Sequence, residues 1–366
     1  MSEVLRVGIV GASAERGWAK ESHVPAVQNL QGLELTAVAA GDQVKSDSAA
    51  KAFGTKKAFA DAKDLVRDAE IDVVTIAVKV PDHRDLLLRA LAAGKHAYCE
   101  WPLGRNLAEA KELASAAEKA GVHVAIGLQT RRSPAALKAR ELISSGAIGR
   151  PLSARLYSST MAFSREISKA DVYLEHPENG ATLVSIHGGH AIDLAVALLG
   201  SLEELSALGT TQYADITLRD TGAQERRSIP DHFLLQGRLQ SGAPLSVEVA
   251  GGRPPQEAFF RLEVTGENGN LLLEGGAPRG FQSGRLELTF NGELQRLEQG
   301  EAAGLPDTAV NVALLYATLR DDIRRDTSTA TGFQHAVQLT QLCEALVSSS
   351  EAGRKVAGVN WPEGEL

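Results

Sequence analysis

The chain has 366 residues, 43% of them hydrophobic, with a net charge of -8 and a mean hydropathy of -0.11. That is enough for two domains with separate cores, and the acidic balance leaves no positive field for a phosphate backbone, so nucleic acid is not an expected partner. No apolar run reaches the length of a membrane span, and Met1–Arg6 lacks the long apolar core of a secretory leader. The two cysteines, Cys99 and Cys343, are too few and too far apart for a disulfide framework, so the expected location is the cytoplasm.

In chain order, Arg6–Val10 reads as a strand that runs into a glycine loop, and Ala19–Leu30 as a helix with Pro25 in its middle. Leu33–Ala40 is a second strand, Ser46–Phe53 a helix and Leu65–Ala69 a short helix. Ile71–Val78 is a nearly continuous apolar run of the kind buried on both faces of a sheet. Leu86–Ala93 is a helix, His96–Cys99 a strand, Leu107–Ala120 a helix and Val122–Leu128 a strand. This alternation predicts a doubly wound parallel sheet of the Rossmann kind over residues 1–130.

Beyond residue 130 the pattern changes. Helices are expected at Pro134–Ser144 and Thr182–Leu199, with the strand-like stretch Leu152–Met161 between them. Strands follow at His232–Leu239, Leu245–Ala250, Phe259–Thr265, Leu271–Glu274 and Arg285–Phe290. Such a run predicts an α+β domain over 131–366 with a mostly antiparallel open sheet. Its closing helices, Val310–Arg325 and Phe333–Ser350 within about 307–352, are expected to pack back toward the first domain. One open face of that sheet would need cover, which predicts a homodimer or homotetramer.

The loop Gly8-Ile9-Val10-Gly11-Ala12-Ser13, with Gly17 and Trp18 further on, lies between a strand and a helix. Backbone amides and a helix N-terminus can hold a pyrophosphate in that setting, although the third glycine of the usual fingerprint is missing and a ligand-free turn is the alternative. The acidic residue expected near the end of the second strand for NAD falls at Ala40 or Gly41. Asp42 comes slightly late, and Lys45 and Ser46 are near enough to meet a 2'-phosphate, or else merely to start a helix. The cofactor is therefore NAD or NADP.

Ile76-Ala77-Val78-Lys79-Val80-Pro81-Asp82-His83, Ala93–Leu103 with Glu100-Trp101-Pro102, Ser145–Gly149, His190–Asp193 and Ala330–Ala336 together make the chain similar, along essentially its whole length, to the Gfo/Idh/MocA family of glucose-fructose oxidoreductase and inositol dehydrogenase. Gly17-Trp18-Ala19, Val78–Pro81, Glu100-Trp101, Leu128-Gln129, Arg131–Pro134 and Pro230–His232 resemble the subgroup of the fungal NAD-binding galactose-gene repressor. The resemblance implies two domains, a bound dinucleotide and a small carbohydrate-like ligand, without by itself implying catalysis.

In that family the lysine of Glu-Lys-Pro, an aspartate and a histidine four residues later move the hydroxyl proton during hydride transfer. Carried over position by position, the lysine becomes Trp101 and the aspartate Ile186, and only His190 survives. Asp193, three residues on, shares a helix face with His190 and is placed to orient it. His187, His190 and Asp193 can also be drawn as a metal site, but they lack a fourth nearby ligand and the family resemblance argues against it. The catalytic candidates are therefore His190, Asp193 and Lys79. Glu100, Lys79 and Trp101 fall at strand ends where cofactors bind, and Trp101, Arg131, His187 and His190 are candidates for the carbohydrate, with Arg132 beside them. Two functions remain open, a sugar or polyol oxidoreductase and a non-catalytic NAD(P)-binding sensor.

Overall fold

The structure, a computed structural model, describes residues 4–359, so the first three residues of the Met1–Arg6 stretch lie outside the described residues. Two compact units are present. One runs to Gln129 and takes in Gln299–Val337, and the other comprises Thr130–Glu298 and the chain from Gln338 on. The chain therefore does not divide once near residue 130, because a late segment belongs to the first unit.

In the first unit, β1 (Leu5–Val10), β2 (Leu33–Ala39), β3 (Lys57–Phe59), β4 (Val73–Ile76), β5 (His96–Cys99) and β6 (Val124–Ile126) form one parallel sheet in the order β3-β2-β1-β4-β5-β6. Its strand order reverses between β1 and β4, the point at which open parallel sheets leave a crevice beyond their carboxyl ends. The helices are α1 (Val24–Asn29), α2 (Gln43–Phe53), α3 (Ala62–Leu65), α4 (His83–Ala92) and α5 (Leu107–Ala120). Val7, Ile9, Val27, Val38 and Tyr98 share a core with Val310, Leu315, Tyr316 and Leu319 of a late helix, Asp307–Arg325. That helix is an integral layer of the first unit.

Local chemistry explains where these elements depart from the expected bounds. A wide π-turn, Ala19–His23, runs into α1 with the backbone helical throughout, so Pro25 lies where the π-turn gives way to the α-helix. Asp42 accepts the Lys45 amide and caps α2, so the helix starts three residues before Ser46. The three residues of β3 are half-buried and too short to leave an apolar pattern.

The second unit contains α6 (Pro134–Ser144), α7 (Gly189–Leu199) and the strands β7 (Pro151–Ser159), β8 (Glu166–Ile167), β9 (Leu202–Thr210), β10 (Asp215–Leu218), β11 (Gln224–Arg226), β12 (His232–Leu239), β13 (Pro244–Ala250), β14 (Phe260–Gly266), β15 (Asn270–Gly275), β16 (Leu286–Phe290), β17 (Glu293–Leu294) and β18 (Val356–Ala357). Nine of them form a sheet in the order β17-β16-β15-β14-β7-β13-β12-β9-β18, antiparallel except where β7 pairs with β13. Phe233, Leu235, Leu245, Val247 and Val249 point to its buried face, while Leu234 and Gln236 alternate outward. Only Leu202 and Leu205 of β9 are buried, with Glu203 and Glu204 between them, so that strand shows no alternation in the sequence. The last helices are α8 (Asp307–Arg325) and α9 (Phe333–Ala352), and no helix of the described residues is long and apolar enough to cross a membrane.

A small sheet, β11-β10-β8, encloses Ile167, Ile216 and Leu218. Arg227 is buried beside it, pairing with Glu175 through Nε and Nη2 at 2.7 Å each, reaching Asp231 at 3.0 Å and donating to the carbonyls of Phe163 and Ser164. Phe163 there adopts a φ of 60°, unusual for a side chain of its size. Removing one partner of a buried ion pair strands the other in low dielectric, so Arg227→Ala should lower stability by about 3–5 kcal/mol. Urea unfolding checks this, and a loss below about 1 kcal/mol would mean that the cluster is solvated.

Candidate functional site

In the first unit the crevice is built from the carboxyl ends of β1 and β4. Gly11 follows β1 with φ +96°, and a Cβ there would stand 2.3 Å from the Ala77 carbonyl oxygen, so only glycine lets the two strand ends pass this closely. Beyond it the Gly11 amide is tied to Ala39 O, but the amides of Ser13 and Ala14 meet no acceptor among the described residues. These unspent donors precede the turn Ala19–His23 and fit the phosphates of a dinucleotide. Trp18 Nε1 beside them is buried without a hydrogen-bond partner among the described residues. Gly17, at φ +119°, has open space around it. Gly8 lies inside β1, where a Cβ would stand 2.8 Å from Leu65 Cδ2, so its smallness serves strand–helix packing. Ala12 is fully buried.

At the end of β2, Ala40 donates its amide to Ser46 Oγ, which in turn donates to Phe59 O. Ser46 is buried and committed to the fold. Asp42 and Lys45 form an exposed ion pair at 2.8 Å, and the Lys45 hydrogen bonds hold the Asp42 carboxyl below its ordinary value.

Lys79 precedes a short turn, Val80–Asp82, after β4, while Glu100 and Trp101 follow β5. His83 joins the two loops, with Nε2 3.1 Å from Val78 O and Nδ1 3.0 Å from Pro102 O. Burial pushes its imidazole below the ordinary value, against the pull of those carbonyls. Trp101 is 5% exposed and joined to Pro102 by a cis bond. Glu100 Oε1 lies 3.0 Å from His23 Nε2, and His23 Nδ1 lies 2.9 Å from the Tyr316 hydroxyl, which is 2.6 Å from Thr75 Oγ1. Residues 23, 75 and 316 carry no motif, so nothing in the sequence marks this chain.

The second unit holds the other candidates. His187 sits on a π-turn, Val184–Gly188, which leads straight into α7 with His190 and Asp193. All three are buried. Burial, then the nearby His190, pushes His187 down to about 3, so it is a neutral imidazole near pH 7. Its ring meets Phe163 edge-on at 6.0 Å. Arg131, 5% exposed, has Nε 3.9 Å from Asp193 Oδ2. Burial and Arg131 together depress the Arg140 guanidinium, with Asp193 pulling the other way. The fold thus brings Arg131 and Asp193 together, with His187 near His190, while Arg132 is half-buried. No group of three or more His, Cys, Asp or Glu among the described residues is placed to hold a metal ion.

A parallel sheet with a glycine cradle at its switch point defines the class of dinucleotide-binding Rossmann proteins. The model of the oxidoreductase family with an NAD-binding Rossmann fold matches residues 5–128, and that of the Gal80p C-terminal domain matches residues 134–275. The chain is 30% identical to dehydrogenase AclE of Aspergillus oryzae, over 97% of its own length and 98% of that protein. It is 31% identical to the galactose/lactose metabolism regulatory protein GAL80 of Saccharomyces cerevisiae, over 79% of this chain and 70% of that one. A crystal structure of a super-repressor mutant of that Gal80p matches with a TM-score of 0.84 at 26% identity, covering 96% of this chain and 97% of the other. D-apiose dehydrogenase of Paraburkholderia graminis is 31% identical over 73% of this chain and 72% of its own. The chain belongs to the Gfo/Idh/MocA family, with a second unit of the Gal80p C-terminal kind.

Because no carboxylate closes the end of β2, Ala40→Asp would add the missing acceptor for ribose hydroxyls. The variant should shift the preference ratio of NAD(H) over NADP(H) by about tenfold toward NAD(H), the worth of one hydrogen bond to a charged group. Calorimetric titration with all four forms measures it, and an unchanged ratio would place the discriminating position elsewhere.

Proposed function

We propose that the protein is an NAD(P)-dependent oxidoreductase acting on a sugar, polyol or related small carbohydrate, with Trp101 in place of the lysine that its family uses. The observation that carries this reading is the glycine cradle at the β1/β4 switch point with the unspent amides of Ser13 and Ala14 beside it. When bound, a nicotinamide dinucleotide supplies the acceptor or donor of a hydride. In this reading Gly11, Ala12, Ser13, Gly17 and Trp18 hold its phosphate end, Gly8 keeps the strand close beneath them, and Lys79, Glu100 and Trp101 line the strand ends where it lies. Arg131 donates to ligand oxygens, and Asp193 keeps that guanidinium in place. His190 hydrogen-bonds the reacting oxygen and carries its proton, while the neutral His187 supports it from the preceding turn.

A second reading, a dinucleotide-binding regulator without turnover, is favoured by one observation. Trp101 and Ile186 stand where the family resemblance expects a lysine and an aspartate, and loss of a positioned acid/base group costs about 10²- to 10⁴-fold in rate. We further infer a cytoplasmic homodimer or homotetramer associating through the outward face of the nine-stranded sheet, where Leu234 and Leu208 are cross-strand neighbours, 38% and 52% exposed. Light scattering at micromolar concentration would contradict it by finding a monomer.

A screen of aldoses, polyols and sugar lactones by nicotinamide absorbance separates the two functions. Turnover that falls at least 10²-fold in His190→Ala supports the oxidoreductase. Binding of dinucleotide and sugar without turnover supports the regulator, and a Trp101→Lys, Ile186→Asp variant that then gains dehydrogenase activity would show a pocket that kept its geometry.

A further inference from the structure

Four side chains of the first unit form a closed hydrogen-bonded row that ends at the crevice. His23 is fully buried and uses both ring nitrogens, on Glu100 and Tyr316; Thr75 stands behind Tyr316 at 0% exposure. None of the four has another side-chain hydrogen-bond partner among the described residues, although the rings of His23 and Tyr316 also pack against Tyr98, and Glu100, its side chain 15% exposed, is the one opening. Histidine fully buried in a core is uncommon without a reason, and here three separate elements converge on it: the π-turn that carries it, β4 with Thr75 and α8 with Tyr316. Thr308 Oγ1 ties α8 back to that turn at Glu21 O.

The chemistry of the last member sets the direction of the whole row. A carboxylate only accepts, so His23 Nε2–H donates to Glu100 Oε1. In a neutral imidazole Nδ1 is then the acceptor, the Tyr316 hydroxyl donates to it, and Thr75 donates to Tyr316. Every donor points toward Glu100, an arrangement in which successive hydrogen bonds polarise one another. Gly127 closes the other side, where a Cβ would stand 2.7 Å from Glu100 Oε1. One carboxylate oxygen is thereby pinned, and Oε2 takes no hydrogen bond from any described residue.

Resting on the dinucleotide reading above, we propose that His23 is a positioning residue: with Tyr316 and Thr75 it fixes the Glu100 carboxylate so that Oε2 accepts an alcohol hydroxyl at the strand ends of the first unit. The hydroxyl belongs to the ribose of the dinucleotide or to the carbohydrate, and the two sources separate in binding. If it is the ribose, His23→Ala raises the Kd for NAD(P)H about tenfold, or about 1.4 kcal/mol, and leaves the KM for sugar alone. If it is the carbohydrate, KM rises instead and the dinucleotide Kd stays. In either case His23→Gln, whose amide N–H still donates to Glu100, restores the lost affinity, whereas a merely structural histidine would show no such rescue.

The free protein offers a test that does not depend on turnover. Nitrogen-15 spectra of the His23 ring should show the Nε2–H tautomer, and Tyr316→Phe, which removes the donor to Nδ1, should weaken that preference. A Nδ1–H tautomer would overturn the proposal, because His23 would then accept from Glu100 instead of orienting it. His23→Ala with wild-type affinity for both dinucleotide and sugar would overturn it as well. A protein that bound no dinucleotide would remove the functional reading, while the tautomer still decides whether Glu100 is a positioned acceptor.

Discussion

The approach of Gly11 to the Ala77 carbonyl is the constraint on which the rest of the first unit depends. A parallel sheet that reverses its order between β1 and β4 leaves two strand ends diverging, and what they flank depends on how closely the backbones pass. With a Cβ 2.3 Å from a carbonyl oxygen forbidden, only glycine, at φ +96°, lets the loop pass this close, and the amides of Ser13 and Ala14 after it meet no acceptor among the described residues. The loops after β4 and β5, which carry Lys79 and Glu100-Trp101, then arrive at the same edge of the sheet and are joined through His83.

Burial governs protonation in both units. His187 is kept neutral because an imidazolium there would lose its hydration without gaining a counter-ion, and His190 close by adds to the cost. Arg131 and Asp193 tolerate burial by lying near each other, and Arg227 by spending its donors on two carboxylates and two carbonyls. These clusters differ in what they leave over. Arg227 is saturated and serves the fold, whereas the Glu100 row ends on an oxygen that no described residue satisfies.

Much of the fold was legible because period and punctuation agreed. His96–Cys99, Leu107–Ala120, Pro134–Ser144 and His232–Leu239 have the bounds that the sequence predicts, each with a clear apolar rhythm or a cap. Where several signals competed, the sequence was silent or misleading: Ser46 looks like a helix cap but is a buried bridge between Ala40 and Phe59, and β9 hides its two buried leucines among glutamates. The late helix α8, expected to pack back toward the first domain, is counted in the first unit, an assignment that its ordinary amphipathic pattern could not by itself supply. The site was legible where motifs cluster, at Gly11–Ser13, Glu100-Trp101 and His187–Asp193. It was not legible at His23, Thr75 and Tyr316, which become neighbours only when β4, the π-turn and α8 fold together.

If the loop after β1 holds a dinucleotide through its own backbone, amide hydrogen exchange on the free and the NAD(P)H-saturated protein reads the contact at the loop itself. The amides of Ser13 and Ala14, which meet no acceptor within the described residues, should exchange fast in the free protein and slow at least about tenfold on saturation, as each gains a phosphate acceptor. Unchanged exchange at these two amides, with dinucleotide bound, would contradict it.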